Sequence, residues 1–252
     1  MNKYITYIKN IMIVSITITT IAALVWGSFS WAEYTQLFEN PNIVFSGNSI
    51  VNESEYRAFI KEEDSNILTK DLSSISTRIE QHPYVAGVRV SKHFPNGILI
   101  EIFERYPVAL INNRPLLLID NHSTVLPFRN NSFEFQIPIL SNFKITNDQF
   151  PIGKQTLSPV AINVVQFLNK LKKEYPQLYQ NLSEVRLSEY DDYELILTEE
   201  PTRIVIGKSI SWAKIIVLKE FEKSISGRKS LTDYAYLDLR YDNQVITKER
   251  QV

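Results

Sequence analysis

Hydrophobic positions fall into three regimes along this chain, and each predicts a different kind of element. Residues 11–31, IMIVSITITTIAALVWGSFSW, form an apolar run with no charged side chain, bounded by Ile11 and Trp31 and centred on Ile21. At about 1.5 Å of rise per helical residue this run covers the ~30 Å of a bilayer core and predicts one membrane-spanning helix. The alternation in Ser15-Ile16-Thr17-Ile18-Thr19 would suit a strand. In lipid, however, every backbone polar group must be satisfied within the segment, which favours the helix. Residues 32–40 follow as a short linker.

The second regime mixes two periods. Asn42 to Phe45 is a brief strand closed by Ser46-Gly47-Asn48-Ser49. Asn52 and Glu55 form a capping-box-like start for a helix whose Tyr56, Phe59 and Ile60 make an apolar stripe. Thr69 is placed to cap a second helix, in which Leu72, Ile75 and Ile79 share a face before His82-Pro83 ends it. Ala86, Val88 and Val90 then alternate with Gly87, Arg89 and Ser91, and Ile98, Ile100 and Ile102 repeat the period with Glu101 facing away. Phe94-Pro95-Asn96-Gly97 between these runs is a hairpin turn, since Asn and Gly tolerate positive φ. The order is β-α-α-β-β over residues 41–107, with both helices expected on one face of a three-stranded sheet.

The third regime, residues 108–252, is strand-rich. Leu116 to Ile119 and Thr124 to Leu126 read as a hairpin about residues 120–123, and Phe133 to Leu140 as a strand interrupted by Pro138. Ser158 and Pro159 open a helix with Ala161, Val164, Val165, Leu168 and Leu171 on one side. Three short strands follow, then a helix carrying Ile215, Leu218, Phe221 and Ile225 that Gly227 ends, then strand-like runs at residues 235–241 and 245–248. The fold class is therefore α+β: a transmembrane helix, a β-α-α-β-β unit and a mixed, mostly antiparallel β-rich domain with two or more helices.

Charge orients the anchor. Lys3 and Lys9 precede the apolar run, Glu33 and Glu39 follow it, and no Lys or Arg appears until Arg57. This asymmetry places residues 1–10 in the cytoplasm and the bulk of the chain outside it. A cleaved signal peptide, with Ser30-Trp31-Ala32 as the cleavage site, competes with a retained anchor. A net charge of −1 over 252 residues, without a basic cluster, argues against nucleic acid as a partner. The absence of cysteine removes disulfides, thiolate metal sites and thiol nucleophiles.

Several motifs together resemble the FtsQ/DivIB family of bacterial cell-division proteins. They are Phe45-Ser46-Gly47-Asn48, Pro83-x-Val85, Val88-x-Val90, Phe94-Pro95, Glu104-Arg105-x-Pro107-Val108-Ala109, Ile137-Pro138-Ile139-Leu140 and Asp238-Leu239-Arg240-Tyr241. The resemblance implies that the β-α-α-β-β unit is a POTRA domain and that the rest is an FtsQ-type β domain. It implies a noncatalytic, single-pass scaffold of the cytoplasmic (inner) membrane, with its bulk periplasmic and concentrated at the septum, linking FtsB (DivIC) and FtsL. Ser123 stands where the family's hairpin often has glycine, so that turn is expected to differ. A POTRA-containing protein of outer-membrane assembly or secretion and an exported cell-wall enzyme remain as alternatives.

Catalytic chemistry is sparse. His82, His93 and His122 are the only imidazoles, and each reads as a surface turn residue. Glu62-Glu63-Asp64 and Asp191-Asp192 read as solvated charge. No metal, cofactor or small-molecule substrate is expected. Binding remains: a strand edge near the end of the chain can recruit a partner strand. Arg240 and Tyr241, on the motif the resemblance supplies, and the adjacent apolar pair Val245 and Ile246 are the expected contacts. By period 2, Tyr241 shares a face with core residues Leu237 and Leu239, so core packing and partner contact are both open to it. Arg240 faces the other way with Asp238 and Tyr236, where an ion pair competes with a rim contact.

Overall fold

The computed structural model describes residues 2–39, 41–60, 71–129, 135–143 and 146–250. The chain divides into two compact units, Met1–Glu80 with Gly87–Phe103, and Gln81–Ala86 with Glu104–Val252.

The first unit opens with helix α1, Asn2–Tyr34, which runs beyond the apolar core of residues 11–31 at both ends. Within its stretch Tyr7–Tyr34 the most apolar 18 residues have a mean hydropathy of 2.0, and the helix is long and apolar enough to cross a membrane. Hydroxyls inside the run are satisfied locally: Thr17, Thr19, Thr20 and Ser28 donate to the carbonyls of Val14, Ser15, Ile16 and Val25. The helix ends on Gln36 at φ 52°, with Gln36 N–H donating to Glu33 O and Leu37 N–H to Ala32 O. This is the paired-bond, left-handed stop that satisfies the last carbonyls of a helix.

Strand β1 (Asn42–Ser46), helices α2 (Glu53–Arg57) and α3 (Leu72–Ile79), and strands β2 (Val85–His93) and β3 (Gly97–Glu104) follow, the expected order. The sheet order is β1-β3-β2, with β1 parallel to β3 from Asn42↔Gly97 to Ser46↔Glu101. Phe45, Tyr56, Ile75, Ile79, Ile98, Ile100 and Ile102 are buried, so the alternation read from β3 does mark its inner face. The box expected at Asn52 does not form, since its side chain makes no capping bond. Thr69 and residues 62–64 lie outside the described residues; Asp71 caps α3 by accepting Ser73 N–H at 3.0 Å. Gly47, at φ 82°, closes β1 where a Cβ would fall 2.2 Å from Ile102 O, so only glycine fits.

Among the described residues the second unit carries one nine-stranded sheet. Its strands are β4 (Pro107–Ile111), β5 (Leu117–Asp120), β6 (Val125–Pro127), β7 (Ile139–Ser141), β8 (Leu182–Leu187), β9 (Tyr193–Leu197), β10 (Arg203–Gly207), β11 (Tyr234–Asp238) and β12 (Ile246–Glu249). Their order is β12-β11-β10-β9-β8-β7-β4-β5-β6. Helices α4 (Pro159–Glu174), α5 (Pro176–Gln180) and α6 (Trp212–Ile225) complete the unit. Val164, Val165, Leu168 and Leu171 of α4 and Ile215 and Leu218 of α6 share one core with Ala109, Ile119, Leu140, Val185, Leu195, Ile204 and Leu237. Ser158 caps α4 as expected, its hydroxyl accepting Ala161 N–H at 3.3 Å. Ser123 adopts the left-handed φ of 63° itself, so the hairpin turns without glycine.

A polar knot ties the start of this unit together. Arg105 donates its N–H to Tyr84 O at 2.7 Å, Nε to Val85 O at 3.1 Å and Nη1 to Asp120 Oδ2 at 2.8 Å. The buried Asp120 also accepts His122 N–H at 2.8 Å and Thr124 N–H at 2.7 Å through Oδ1. Tyr84 is fully buried, its hydroxyl on Pro127 O at 2.7 Å. His82 is buried as well, accepting Tyr84 N–H at Nδ1, which corrects its reading as a surface turn residue.

Candidate protein-binding edge

The nine-stranded sheet has two ends, and they differ. At β6, Val125 N–H donates to Lys154 O at 2.9 Å and Gly153 N–H to Val125 O at 2.8 Å, so a following segment covers the edge. At the other end β12 pairs antiparallel with β11 through Asp238↔Ile246, Leu237↔Thr247 and Tyr236↔Lys248. All four β12 residues are exposed. Leu239 N–H donates to Val205 O, on the β10 side, and Arg250 N–H donates to Asp233 O, on the β11 side. By alternation, the N–H groups of Ile246 and Lys248 face β11 while those of Thr247 and Glu249 face outward.

The end of β11 is held by an ion cluster. Asp238, 3% exposed, accepts from Tyr236 Oη at 2.7 Å, from Arg240 N–H at 2.9 Å and from Arg240 Nη2 at 2.7 Å. Burial raises the Asp238 carboxyl, but hydrogen bonds from Arg240 and Tyr236 outweigh it and hold the pKa at about 2. The hydrogen bond to Asp238 in turn raises the Arg240 guanidinium against a smaller opposing effect of burial. Arg240 Nη1 also reaches Asp192 at 3.3 Å, and Lys208 lies 3.6 Å from the same carboxylate. Next to it Arg186 pairs with Glu194 at 2.8 Å, and Arg203 lies over the Tyr236 ring at 4.8 Å. Arg186, Asp192, Glu194, Arg203, Tyr236 and Arg240 line a cleft of about 450 Å³.

The four expected contacts take different places. Arg240 is engaged by two acids, while Tyr241, 55% exposed, lies past the end of β11 and outside the core. The period-2 count fails there because Asp238 captures the N–H of Arg240 and ends the strand. Val245 packs against the core, and Ile246 is exposed on β12. Tyr241 rims a second cleft, of about 280 Å³, with Leu239 and with Ile216 and Val217 of α6. Two supporting residues escape sequence reasoning. Asp192 arrives from a turn 48 residues away, and Gly207, at φ 106°, leaves room where a Cβ would approach Arg240 Cγ to 3.2 Å.

Among the described residues no group of three or more His, Asp or Glu could hold a metal ion. A helix of membrane-spanning length and composition, a three-stranded α+β unit and a sheet that, among the described residues, leaves one edge unpaired make up the chain. Residues 41–105 match the family model of the POTRA domain, FtsQ-type, and residues 106–248 that of the FtsQ/DivIB, C-terminal related domain. The chain belongs to the FtsQ/DivIB family of cell-division proteins. Among curated relatives, the cell division protein FtsQ of Myxococcus fulvus is 24% identical over 224 residues, covering 86% of this chain and 76% of the relative. That of Aliivibrio fischeri is 21% identical over 239 residues, covering 94% and 86%. That of a Geobacter species is 21% identical over 184 residues, covering 73% of this chain and 66% of the relative.

Proposed function

We propose that this protein is a noncatalytic scaffold of the division machinery, anchored in the cytoplasmic membrane by α1 with its N-terminus inside. Its two folded units act outside the cytoplasm at the septum and hold FtsB (DivIC) and FtsL. The partner supplies a strand that pairs with β12. The observation that carries this reading is β12, which among the described residues is uncovered and exposed along its whole length, at the end of a sheet whose other edge is covered. Unpaired outward N–H and C=O groups on such a strand are a template for strand addition. Ile246 and Tyr241 make the apolar contacts, Val245 supports them from the core side, and Arg240 sits at the rim. Lys3 and Lys9 before the apolar run, against Glu33 and Glu39 after it, support the orientation.

Thr247→Pro tests the edge. The outward N–H of Thr247 takes no part in pairing with β11, so proline there removes a donor from the partner and none from the sheet. Recovery of FtsB and FtsL with the tagged variant from its own membranes should collapse, and Arg240→Glu with Tyr241→Ala should reduce it independently. Undiminished recovery with both variants folded would sink the reading.

A further inference from the structure

The tip of the β2–β3 hairpin exposes Phe94 at 63%. A large apolar side chain left mostly in solvent at a turn adds little to the core of its own unit, and connectivity says what lies nearby. The last hydrogen bond of the stop that ends α1 is Glu39 N–H to Gln36 O, and β1 begins at Asn42. The intervening residues span about 10 Å even when fully extended. Asn42 is bound to the hairpin tip, since its N–H donates to Asn96 O at 2.9 Å and its register partner is Gly97. The tip is therefore the end of the sheet tethered closest to the point where α1 ends, and β1 carries the chain away from it. Trp26, Phe29, Trp31 and Tyr34, all exposed on the last turns of α1, mark that end as suited to a headgroup interface.

We propose that the hairpin tip at Phe94 docks into the headgroup layer of the leaflet from which α1 emerges, giving the first unit a second membrane contact. The proposal rests on α1 spanning the bilayer. Phe94 enters the interface, His93 stays at its aqueous margin, and the opposite end of the sheet, at Ser49, stays in water. A tip held in this way fixes the tilt of the three-stranded sheet against the membrane, which one covalent connection alone does not.

The chain lacks cysteine, so single cysteines carry a nitroxide without background. The full chain is reconstituted in phosphatidylethanolamine–phosphatidylglycerol vesicles with a label at Phe94→Cys, His93→Cys, Ser49→Cys or Ile18→Cys. Accessibility to oxygen relative to a water-soluble nickel complex reports depth. Expected is a ratio several-fold higher at 94 than at 49, a smaller rise at 93, and the highest ratio at 18. Tip labels as water-exposed as position 49, with position 18 in hydrocarbon, would overturn the docked tip and leave the anchor standing. A water-exposed position 18 would overturn the anchor and the docked tip with it.

Discussion

Removing the carboxylate of Asp120 should be among the most damaging single changes in the second unit. The group is fully buried and accepts three hydrogen bonds, from Arg105 Nη1 at 2.8 Å and from the N–H groups of His122 and Thr124 at 2.8 and 2.7 Å. Asp120→Ala takes the charged partner from the Arg105 guanidinium, which is 21% exposed and keeps only Val85 O and Thr124 Oγ1, and strands two turn N–H groups. Breaking one side of a buried pair costs about 3–5 kcal/mol. With a urea slope of about 2 kcal/mol per M, the midpoint of the second unit falls by ~1.5–2.5 M. Asp120→Asn keeps an oxygen for the two N–H groups but loses the charge, and because charge-assisted bonds are about twice as strong as neutral ones, it should cost roughly half as much. Arg105→Ala should approach the alanine loss, since it leaves a buried carboxylate unpaired. The measurement is urea unfolding followed by circular dichroism on the three variants and the Asp120→Ala/Arg105→Ala double variant. Double-variant loss equal to the sum of the single losses would refute the coupling, and midpoint shifts below ~0.3 M for both single changes would refute the whole account.

Tyr84→Phe removes only the hydroxyl on Pro127 O and leaves that partly buried carbonyl without this donor; unfolding measurements should show a loss of about 0.5–1.5 kcal/mol. Gly47→Ala forces a Cβ against Ile102 O in a left-handed turn, so the first unit should lose more than the ~1 kcal/mol of an ordinary glycine replacement, read as reduced protease resistance of residues 41–103. Asp238 makes stability depend on acid. Its folded pKa of about 2 lies below the ~3.9 of an unfolded aspartate, so its contribution is complete above pH ~4 and disappears as pH falls toward 2. Solvent screening of its half-exposed partner Arg240 limits that contribution to about 1–2 kcal/mol, and Asp238→Asn should flatten the acid limb of a stability-versus-pH curve.

The elements legible in the sequence were those with a local cause. The β2–β3 hairpin is legible in its alternation and in the break at residues 94–97, although neither Asn96 nor Gly97 takes the positive φ expected of it, and α4 is legible in its Ser-Pro start. Strand β4 was hidden because Pro107 reads as a stop, although proline is tolerated at the first residue of a strand, and Val108 to Ile111 lack the alternation of a half-buried strand. The short helix α5 is hidden for a similar reason: Pro176 suits the end of α4 and serves instead as a first helical residue. Of the candidate site, the strand-like end of the chain was legible, but its surroundings were not. That β12 is the last strand of nine depends on the order of the whole sheet, and Asp192 reaches Arg240 only through tertiary structure. Tyr241 was ambiguous because a period count cannot know where a side chain interrupts it.

A sheet covered at β6 and bare at β12 has a direction of growth. Among the described residues, two copies of this chain cannot stack head to tail through their large sheets, because the edge such a contact needs at β6 already has Lys154 and Gly153 hydrogen-bonded to it. The remaining way for identical sheets to join edge to edge is β12 against β12 about a two-fold axis, a closed pair that cannot extend into a fibre. That pair would consume the same outward N–H groups that an incoming partner strand requires. Self-association through this edge and recruitment through it therefore exclude each other, and the stoichiometry of any β12-bound complex is one added strand per chain.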